Sequence, residues 1–263
     1  MKKYWVYFKL NFQEMLEYRT DVIIWTLSGA ILPLIGLTIW LAVLGSGAKL
    51  AYSYPELVTY FILAMTVEIL VGAWGAWFIS EKINNGDFSV YLIKPVSVLT
   101  EYFIQNMSEK IFKIFVIIFV IIGVVLASQG KIAFPLNILN WLLFFTSLLM
   151  SILIAFLLDF ILGLSAFWFH EIDFFKNYIS LSNQLFSGKL IPVAFLPATL
   201  FNLAVFLPFR YIISFPIEVL LGKLSAENVV LGFGIQFFWL TFFFLGYKLT
   251  YSKGIKLYQG FGG

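Results

Sequence analysis

The chain is dominated by long apolar runs, each of about the length that a bilayer requires. A helix needs about 20 apolar residues to cross about 30 Å of hydrocarbon. Hydrophobic residues fill 61% of the 263 positions and charged residues only 12%, whereas soluble domains carry about 25% charged residues. The runs therefore predict an all-α integral membrane protein. Its six predicted transmembrane helices cover residues 22–44, 57–79, 111–127, 140–163, 172–189 and 229–249.

Residues 190–216 have the hydropathy of a further span, but their prolines argue against one. Pro192, Pro197, Pro208 and Pro216 fall within this stretch. Proline lacks a backbone N–H, and the carbonyl that it frees must find a partner inside lipid. The segment therefore predicts a proline-rich re-entrant hairpin on the extracellular side, before the last span.

The basic residues predict that both termini lie in the cytoplasm. With six spans and the N-terminus inside, twelve of the 17 lysines and arginines fall in cytoplasmic segments. Cytoplasmic loops carry an excess of these residues. A seventh span would move the basic C-terminal tail outside, so the charge distribution and the prolines agree.

Residues 1–20 predict an amphipathic helix on the cytoplasmic interface. Lys9, Glu14, Glu17 and Arg19 interrupt the apolar stretch that a signal peptide would need. Large apolar residues recur at helical spacing, as expected for a helix that lies in the headgroup region. The apolar residues at this spacing are Trp5, Phe8, Phe12 and Met15, and the charged Arg19 continues the same spacing.

Several functional classes lack their characteristic residues. There is no cysteine, a single histidine and a net charge of only +3, which disfavours iron–sulfur clusters, multi-histidine metal centres and nucleic-acid partners. The phosphate-binding loop of ATPases and the common hydrolase motifs are also absent. We therefore expect no catalytic residue, no cofactor and no metal site; any ATP would be hydrolysed by another chain. The cluster His170, Glu171 and Asp173 is interpreted as a solvated turn.

Residues 80–110 form the longest polar segment and should face the cytoplasm as a loop. Asn85, Gly86 and Asp87 are a strong turn signal, because glycine accepts positive φ and Asn and Asp bond their own backbone. Such a segment suits docking on a soluble partner, and an ordinary interfacial loop is the alternative. The apolar side chains that it carries are Ile83, Phe88, Tyr91, Leu92 and Ile93.

Two blocks of sequence resemble the type-2 permeases of ATP-binding-cassette exporters, in particular a six-span bacterial subgroup. The first block is Ile79-x-x-x-Ile83-x-x-Gly86-Asp87-Phe88-Ser89-x-x-Leu92-Ile93-Lys94-Pro95. The second block is Leu185-Phe186-Ser187-Gly188-Lys189-Leu190-Ile191-Pro192, followed by Phe195-Leu196-Pro197, Leu207-Pro208-Phe209 and Pro216. The terminal Gly262-Gly263 also recurs in that subgroup.

The resemblance implies functions for both blocks. In that family the loop after the second span carries a coupling helix that sits in a groove of a separate ATPase, which binds the ATP. The implied coupling positions are Glu81, Gly86, Asp87, Leu92, Lys94 and Pro95. The implied extracellular re-entrant element, which closes the path from outside, contains Gly188, Pro192, Pro197 and Pro208. The resemblance also implies a bacterial cytoplasmic membrane and a second permease, as a homodimer or a heterodimer.

Glu68 lies at the midpoint of the second predicted span, where a charge costs about 2.5–3.5 kcal/mol on insertion scales. One interpretation is a wall residue of the translocation path, since the resemblance places spans 2 and 5 there. The other is a structural hydrogen bond to Thr38, Asn183 or Gln236. Asp159 lies near the cytoplasmic end of span 4, where hydration is easier.

These observations predict the membrane subunit of an ATP-binding-cassette exporter that works by alternating access. Drug-, lipid- and antibiotic-like substrates all fit related systems. A stand-alone secondary transporter with Glu68 as its proton carrier is the alternative. A membrane-embedded lipid-processing enzyme is disfavoured, because no paired catalytic groups are visible.

Overall fold

The computed structural model describes residues 2–258, which fold into helices without any β-strand. Five helical segments are long and apolar enough to cross a membrane, so the predicted all-α membrane fold is confirmed. These segments are Arg19–Gly45, Tyr54–Asn84, Val98–Ala127, Ile138–Phe167 and Ala226–Leu257. At the fifth predicted span, 172–189, the helix Asp173–Phe186 has 14 residues. Such a helix is about 21 Å long, which is shorter than the hydrocarbon core.

Twelve α-helices are described between residues 2 and 258. They are α1 Lys2–Glu17, α2 Arg19–Gly45, α3 Tyr54–Val71, α4 Gly75–Asn84, α5 Phe88–Ile93, α6 Val98–Ala127, α7 Ile138–Leu164, α8 Asp173–Phe186, α9 Ala198–Phe206, α10 Pro208–Ile212, α11 Ser214–Leu220 and α12 Ala226–Leu257. Short 3₁₀ turns cover Ser165–Phe167 and Val193–Phe195.

Helix α7 lies at the centre of one half of the bundle and packs against α4, α11 and α12, while α2, α3 and α6 pack together in the other half. Aromatic rings fill the space where the two halves meet. Tyr102 of α6 stacks on Phe156 of α7 with ring centroids 5.0 Å apart, and Phe156 stacks in turn on Phe160. Large apolar side chains such as Phe119 cover the outside, as expected of helices that face lipid.

The N-terminal helix α1 packs along α6, as an interfacial helix beside the bundle would. Met15 of α1 is buried, whereas Trp5 is 57% exposed and stacks on Phe8 with ring centroids 5.4 Å apart. The outer face of α1 therefore remains apolar and uncovered, consistent with a helix in the headgroup region.

The second span is broken, although the sequence predicts a continuous helix over 57–79. Helix α3 ends at Val71, residues 72–74 are non-helical, and α4 begins at Gly75. A side chain at position 75 would collide with the ring of Tyr102, so glycine is required where α4 starts beside α6. Apolar composition continues across the break, which explains why hydropathy does not reveal it.

The predicted polar loop 80–110 is largely helical. Helix α4 continues to Asn84, and α6 begins at Val98, where the Ser97 side chain caps it by accepting a hydrogen bond from the Thr100 backbone N–H. The predicted third span, 111–127, is therefore the second part of a longer helix. Between α4 and α6 remains a short segment, residues 85–97, which holds α5. We call the end of the bundle that carries this segment the loop end.

The prolines of residues 190–216 begin helical segments instead of interrupting one long helix. Pro192 precedes the turn Val193–Phe195, Pro197 precedes α9, and Pro208 is the first residue of α10. Proline suits these positions because a helix's first N–H groups have no intrahelical partner. Every residue from Pro208 to Leu220 is buried, so the chain turns back into the bundle after α9. We call this opposite end of the bundle, with residues 187–207, the hairpin end.

Candidate functional site

Glu68 of α3 forms an ion pair with Lys189, which follows α8. The Lys189 ammonium donates to Glu68 Oε1 over 2.9 Å, and the two side chains are only 10% and 21% exposed. The structural partners expected from the sequence were wrong. Thr38 donates to a carbonyl of its own helix, and Gln236 bonds to groups of α7 and α10. Asn183 lines a cavity near Glu68 without bonding to it.

The two helix ends at the break are held by side chains of opposite charge type. The Lys110 ammonium donates to the Gly72 carbonyl at 2.6 Å, at the C-terminal end of α3. Asp159 Oδ2 accepts from the Ala76 backbone N–H at 2.9 Å, in the first turn of α4. A basic group at a helix C-terminus and an acidic group at an N-terminus both complement the helix dipole. The break is thus a built feature with satisfied backbone groups.

Tyr102 joins these two ends. Its hydroxyl donates to Asp159 Oδ2 at 3.1 Å and accepts from the Trp74 backbone N–H at 3.0 Å. The Trp74 indole N–H in turn donates to the Glu109 carboxylate, which also pairs with Lys113 at 2.7 Å. Asp159 therefore stabilises the broken helix by accepting hydrogen bonds from Ala76 and Tyr102. Hydropathy alone could not reveal this role.

Two cavities meet at this break. The small cavity has a volume of about 300 Å³ and lies between α3, α7 and α8. The large cavity has a volume of about 960 Å³ and lies between α1, α2, α4 and α6. Glu68, Gly72, Ala73 and Lys176 line both, so the two cavities adjoin at the broken segment. Their volumes fall within the range of about 300–1,000 Å³ that is usual for ligand sites.

The segment 85–97 at the loop end contains most of the predicted coupling positions. Gly86 adopts φ +81°, which gives the turn expected from the sequence. Asp87 pairs with Lys82 at 3.3 Å, and Lys94 pairs with Glu101 at 2.7 Å.

The other predicted coupling positions stand around this turn. Glu81 is half-buried on α4, and its carbonyl accepts from the Asn85 backbone N–H at 2.9 Å. Pro95 is exposed at the exit of the segment.

Only part of the apolar surface expected at 80–95 is exposed. Ile93 is 86% exposed and Leu92 is 41% exposed. Phe88, in contrast, is buried, because it packs edge-on against Phe167 and against Tyr258 beyond the end of α12. The exposed surface is therefore the C-terminal part of α5.

Tyr258 fastens the turn before α5. Its hydroxyl donates to the Gly86 carbonyl and accepts from the Ser89 backbone N–H at 3.0 Å. The sequence gives no signal for this contact, because 172 positions separate the two residues. The predicted terminal motif Gly262-Gly263 lies outside the described residues.

The hairpin end is fastened in a similar way. Gly188 adopts φ +90°, and its carbonyl accepts from the Tyr60 hydroxyl at 2.9 Å. A Cβ at position 188 would lie 2.5 Å from the Tyr60 oxygen. Below this bend, Arg210 and Glu218 form a buried ion pair at 2.8 Å, and Ser214 donates to the same carboxylate.

This is an integral membrane protein whose apolar helices enclose paired charges and two adjoining cavities, an arrangement typical of membrane proteins that move a solute. The chain belongs to the ABC-2 transporter family: the family described as ABC-2 family transporter protein matches residues 28–262. The resemblance to type-2 permeases is thereby confirmed. No curated protein and no solved structure matches the chain. Members of this family are membrane subunits that are generally not catalytic and that work with an ATPase partner.

Proposed function

We propose that this chain is the permease subunit of an ATP-binding-cassette exporter in the bacterial cytoplasmic membrane. Two permeases, identical or related, work with two copies of a separate ATPase. Both termini and the loop end face the cytoplasm, and the hairpin end faces outward. Membership of the ABC-2 family carries this proposal, since the family in general implies an ATPase partner.

The segment 85–97 is the docking site for the ATPase. Ile93 and Leu92 project from α5 into open space, where burial against a partner is favourable at about 25 cal/mol per Å² of apolar surface. The turn beneath them is fixed by Gly86 and Tyr258. A docked ATPase therefore binds a short helix, α5, that is firmly attached to the rest of the protein.

Movement of α5 reaches the cavities through α4. Phe88 ties α5 to Phe167 at the end of α7, and α4 packs along α7 as far as its start at Gly75. Glu68 and its partner Lys189 lie on the other side of the break. Closure of the ATPases thus acts on the segment between the two cavities, and alternating access follows when this segment opens them to opposite sides.

The hairpin end closes the path from outside. Residues 208–220 are buried in the bundle, and the bend at Gly188 is buried against Tyr60 and Ser214. Lys189 reaches from this bend to Glu68, which connects the outer closure to the wall of the path. The alternative of a stand-alone proton-coupled transporter is not favoured by the family, and Glu68 is already engaged by a lysine.

Co-purification with the partner ATPase tests this proposal. Ile93→Asp should abolish recruitment of the ATPase, because it places a charge at the centre of the docking surface. Leu136→Asp is the matched control: Leu136 is 91% exposed but lies in the loop between α6 and α7, at the hairpin end. Equal recruitment by the two variants would contradict docking at α5.

A further inference from the structure

The large cavity carries more acidic than basic groups. Its charged lining residues are Glu14, Asp21, Glu68, Glu109, Lys113 and Lys176. Glu109 pairs with Lys113, and Glu68 pairs with Lys189. Glu14 and Asp21 form no ion pair among the side chains that the structure describes. The mouth of the cavity on α1 and α2 is therefore net negative, which favours a cationic ligand.

The same cavity has an aromatic wall. Trp25, Trp74 and Trp77 line it together with Tyr18. Trp25 and Trp77 are 71% and 58% exposed, so their rings are accessible beside the cavity. Aromatic faces attract cations and also pack against hydrocarbon. Such a wall suits a ligand that has both a positive charge and an apolar body.

The small cavity contains two acceptors that lack donors. Glu68 Oε2 and Asn183 Oδ1 are buried, and neither has a hydrogen-bond partner within residues 2–258. Both residues line this cavity. Buried acceptors without donors are rare in native proteins, and two at one cavity point to a ligand that brings N–H or O–H groups. Glu68 lines the large cavity as well, so the two sets of features adjoin.

We propose that the two adjoining cavities together bind an amphiphile with a primary ammonium group, which lies at Glu68, a residue that lines both. The ammonium donates to Glu68 Oε2 and Asn183 Oδ1, and the apolar body lies against Trp25 and Trp77. A quaternary ammonium has the charge but no N–H to donate, so it binds more weakly. The ligand chemistry is shared by amine-bearing lipid headgroups and by amphiphilic amines in solution. This inference rests on the proposed function, because it takes Glu68 as a wall of the transport path.

The test is a binding titration of the full-length permease in phosphatidylglycerol nanodiscs, followed by tryptophan fluorescence and corrected with empty nanodiscs. The probes share one chain length: dodecylamine, dodecyltrimethylammonium, dodecanol and dodecanoate. Dodecylamine should bind tightest and dodecanoate weakest. The proposal would be overturned if either dodecanol or dodecanoate bound with the same affinity as dodecylamine.

Variants at position 183 separate the site from the bilayer. Asn183→Leu should weaken dodecylamine binding about tenfold, the scale of one hydrogen bond to a charged group. Asn183→Asp keeps an acceptor and should bind at least as tightly as the wild type, which controls for misfolding at this position. Gln184→Leu, the neighbouring amide on α8, should leave binding unchanged, since Gln184 lines neither cavity. Unaltered binding by Asn183→Leu would overturn the proposal.

Two further arms complete the experiment. Replacing half of the lipid by phosphatidylethanolamine, with phosphatidylcholine as the control, identifies the source. If dodecylamine binds more weakly in the phosphatidylethanolamine nanodiscs but not in the phosphatidylcholine nanodiscs, the site is assigned to a lipid headgroup. If its apparent affinity changes in neither, the site is assigned to an amine in solution. Both outcomes support the ammonium site. The titration needs neither ATPase nor nucleotide. If dodecylamine fails to bind but the ATPase is still recruited, only the proposed ligand is overturned. If dodecylamine binds but the ATPase is not recruited, only the exporter function is overturned.

Discussion

The two ends of the bundle use the same turn and differ in how deeply it is buried. At the loop end, Gly86 adopts φ +81° and its carbonyl accepts from the Tyr258 hydroxyl. At the hairpin end, Gly188 adopts φ +90° and its carbonyl accepts from the Tyr60 hydroxyl. The first turn presents the exposed Ile93, whereas the second is enclosed by side chains. The turn at Gly86 thus holds a docking surface in place, and the turn at Gly188 holds a closed wall in place.

The ion pairs at the two ends differ in the same sense. Lys82 and Asp87 at the loop end are 29% and 55% exposed, whereas Arg210 and Glu218 at the hairpin end are 9% and 4% exposed. Exposed pairs contribute about 0–1 kcal/mol, but removing one partner of a buried pair costs about 3–5 kcal/mol. The hairpin end should therefore govern stability, and the loop end should govern coupling.

The largest expected effect comes from the buried pair. Arg210→Met should destabilise the protein by about 3–5 kcal/mol, because Glu218 stays buried without its partner. Thermal unfolding in detergent, followed by size-exclusion chromatography, measures this loss. Lys82→Met at the loop end is the control and should shift unfolding by less than about 1 kcal/mol. Similar losses from both variants would remove the distinction between the ends.

Next come the two glycines. Gly188→Val should lower the thermal stability, since a Cβ there lies 2.5 Å from the Tyr60 oxygen and 2.7 Å from the Ser214 Cβ. Gly86→Val and Asp87→Lys should leave the protein folded and inserted but abolish ATPase recruitment or substrate-stimulated hydrolysis. Strain at positive φ costs about 1–3 kcal/mol and would disturb only the turn. ATP hydrolysis is measured in liposomes. Normal coupling in both loop variants would show that this segment only connects α4 and α6.

A smaller effect is expected where the two ends communicate. Glu68→Gln should keep the complex assembled, because the amide oxygen still accepts from Lys189, yet it should slow transport several-fold by removing the charge. Glu56→Gln on the same helix is the matched control, since Glu56 pairs with Lys223 near the hairpin end and outside both cavities. Transport assays at equal expression compare the two. Unchanged transport by Glu68→Gln would leave this ion pair a purely structural role.

The smallest changes remove single hydroxyls. Tyr258→Phe should leave unfolding unchanged and lower coupled hydrolysis by a few-fold, because the turn before α5 loses its anchor. Tyr60→Phe should do the opposite and lower stability by about 1 kcal/mol, the usual contribution of one hydrogen bond. Unfolding and hydrolysis measured on both variants give a direct comparison. Identical profiles would show that the two turns do not divide the roles.

Much of the architecture follows from local sequence. Apolar run length locates five spans, the prolines predict that 190–216 is no simple helix, and Asn85-Gly86-Asp87 predicts the turn before α5. Each of these signals lies within one continuous segment of the chain. They therefore need no knowledge of which helices meet.

The missed features all depend on contacts between distant segments. Lys189 could not be paired with Glu68 from the sequence, because 121 positions separate them. The burial of Phe88 depends on Tyr258, and the break before Gly75 depends on Tyr102. Hydropathy averages over a window, so it registers neither a break in an apolar run nor the partner of a buried charge.

The opposite caps at the break have a consequence for the whole subunit. Lys110, on α6, holds the end of α3, whereas Asp159, on α7, holds the start of α4. The N-terminal half of the second span thus belongs to the group of helices around α6, and its C-terminal half belongs to the group around α7. The three residues between them, 72–74, therefore link two groups of helices. We expect any rotation of one group against the other to be concentrated at these three residues, where the Tyr102 hydroxyl bonds to both Trp74 and Asp159.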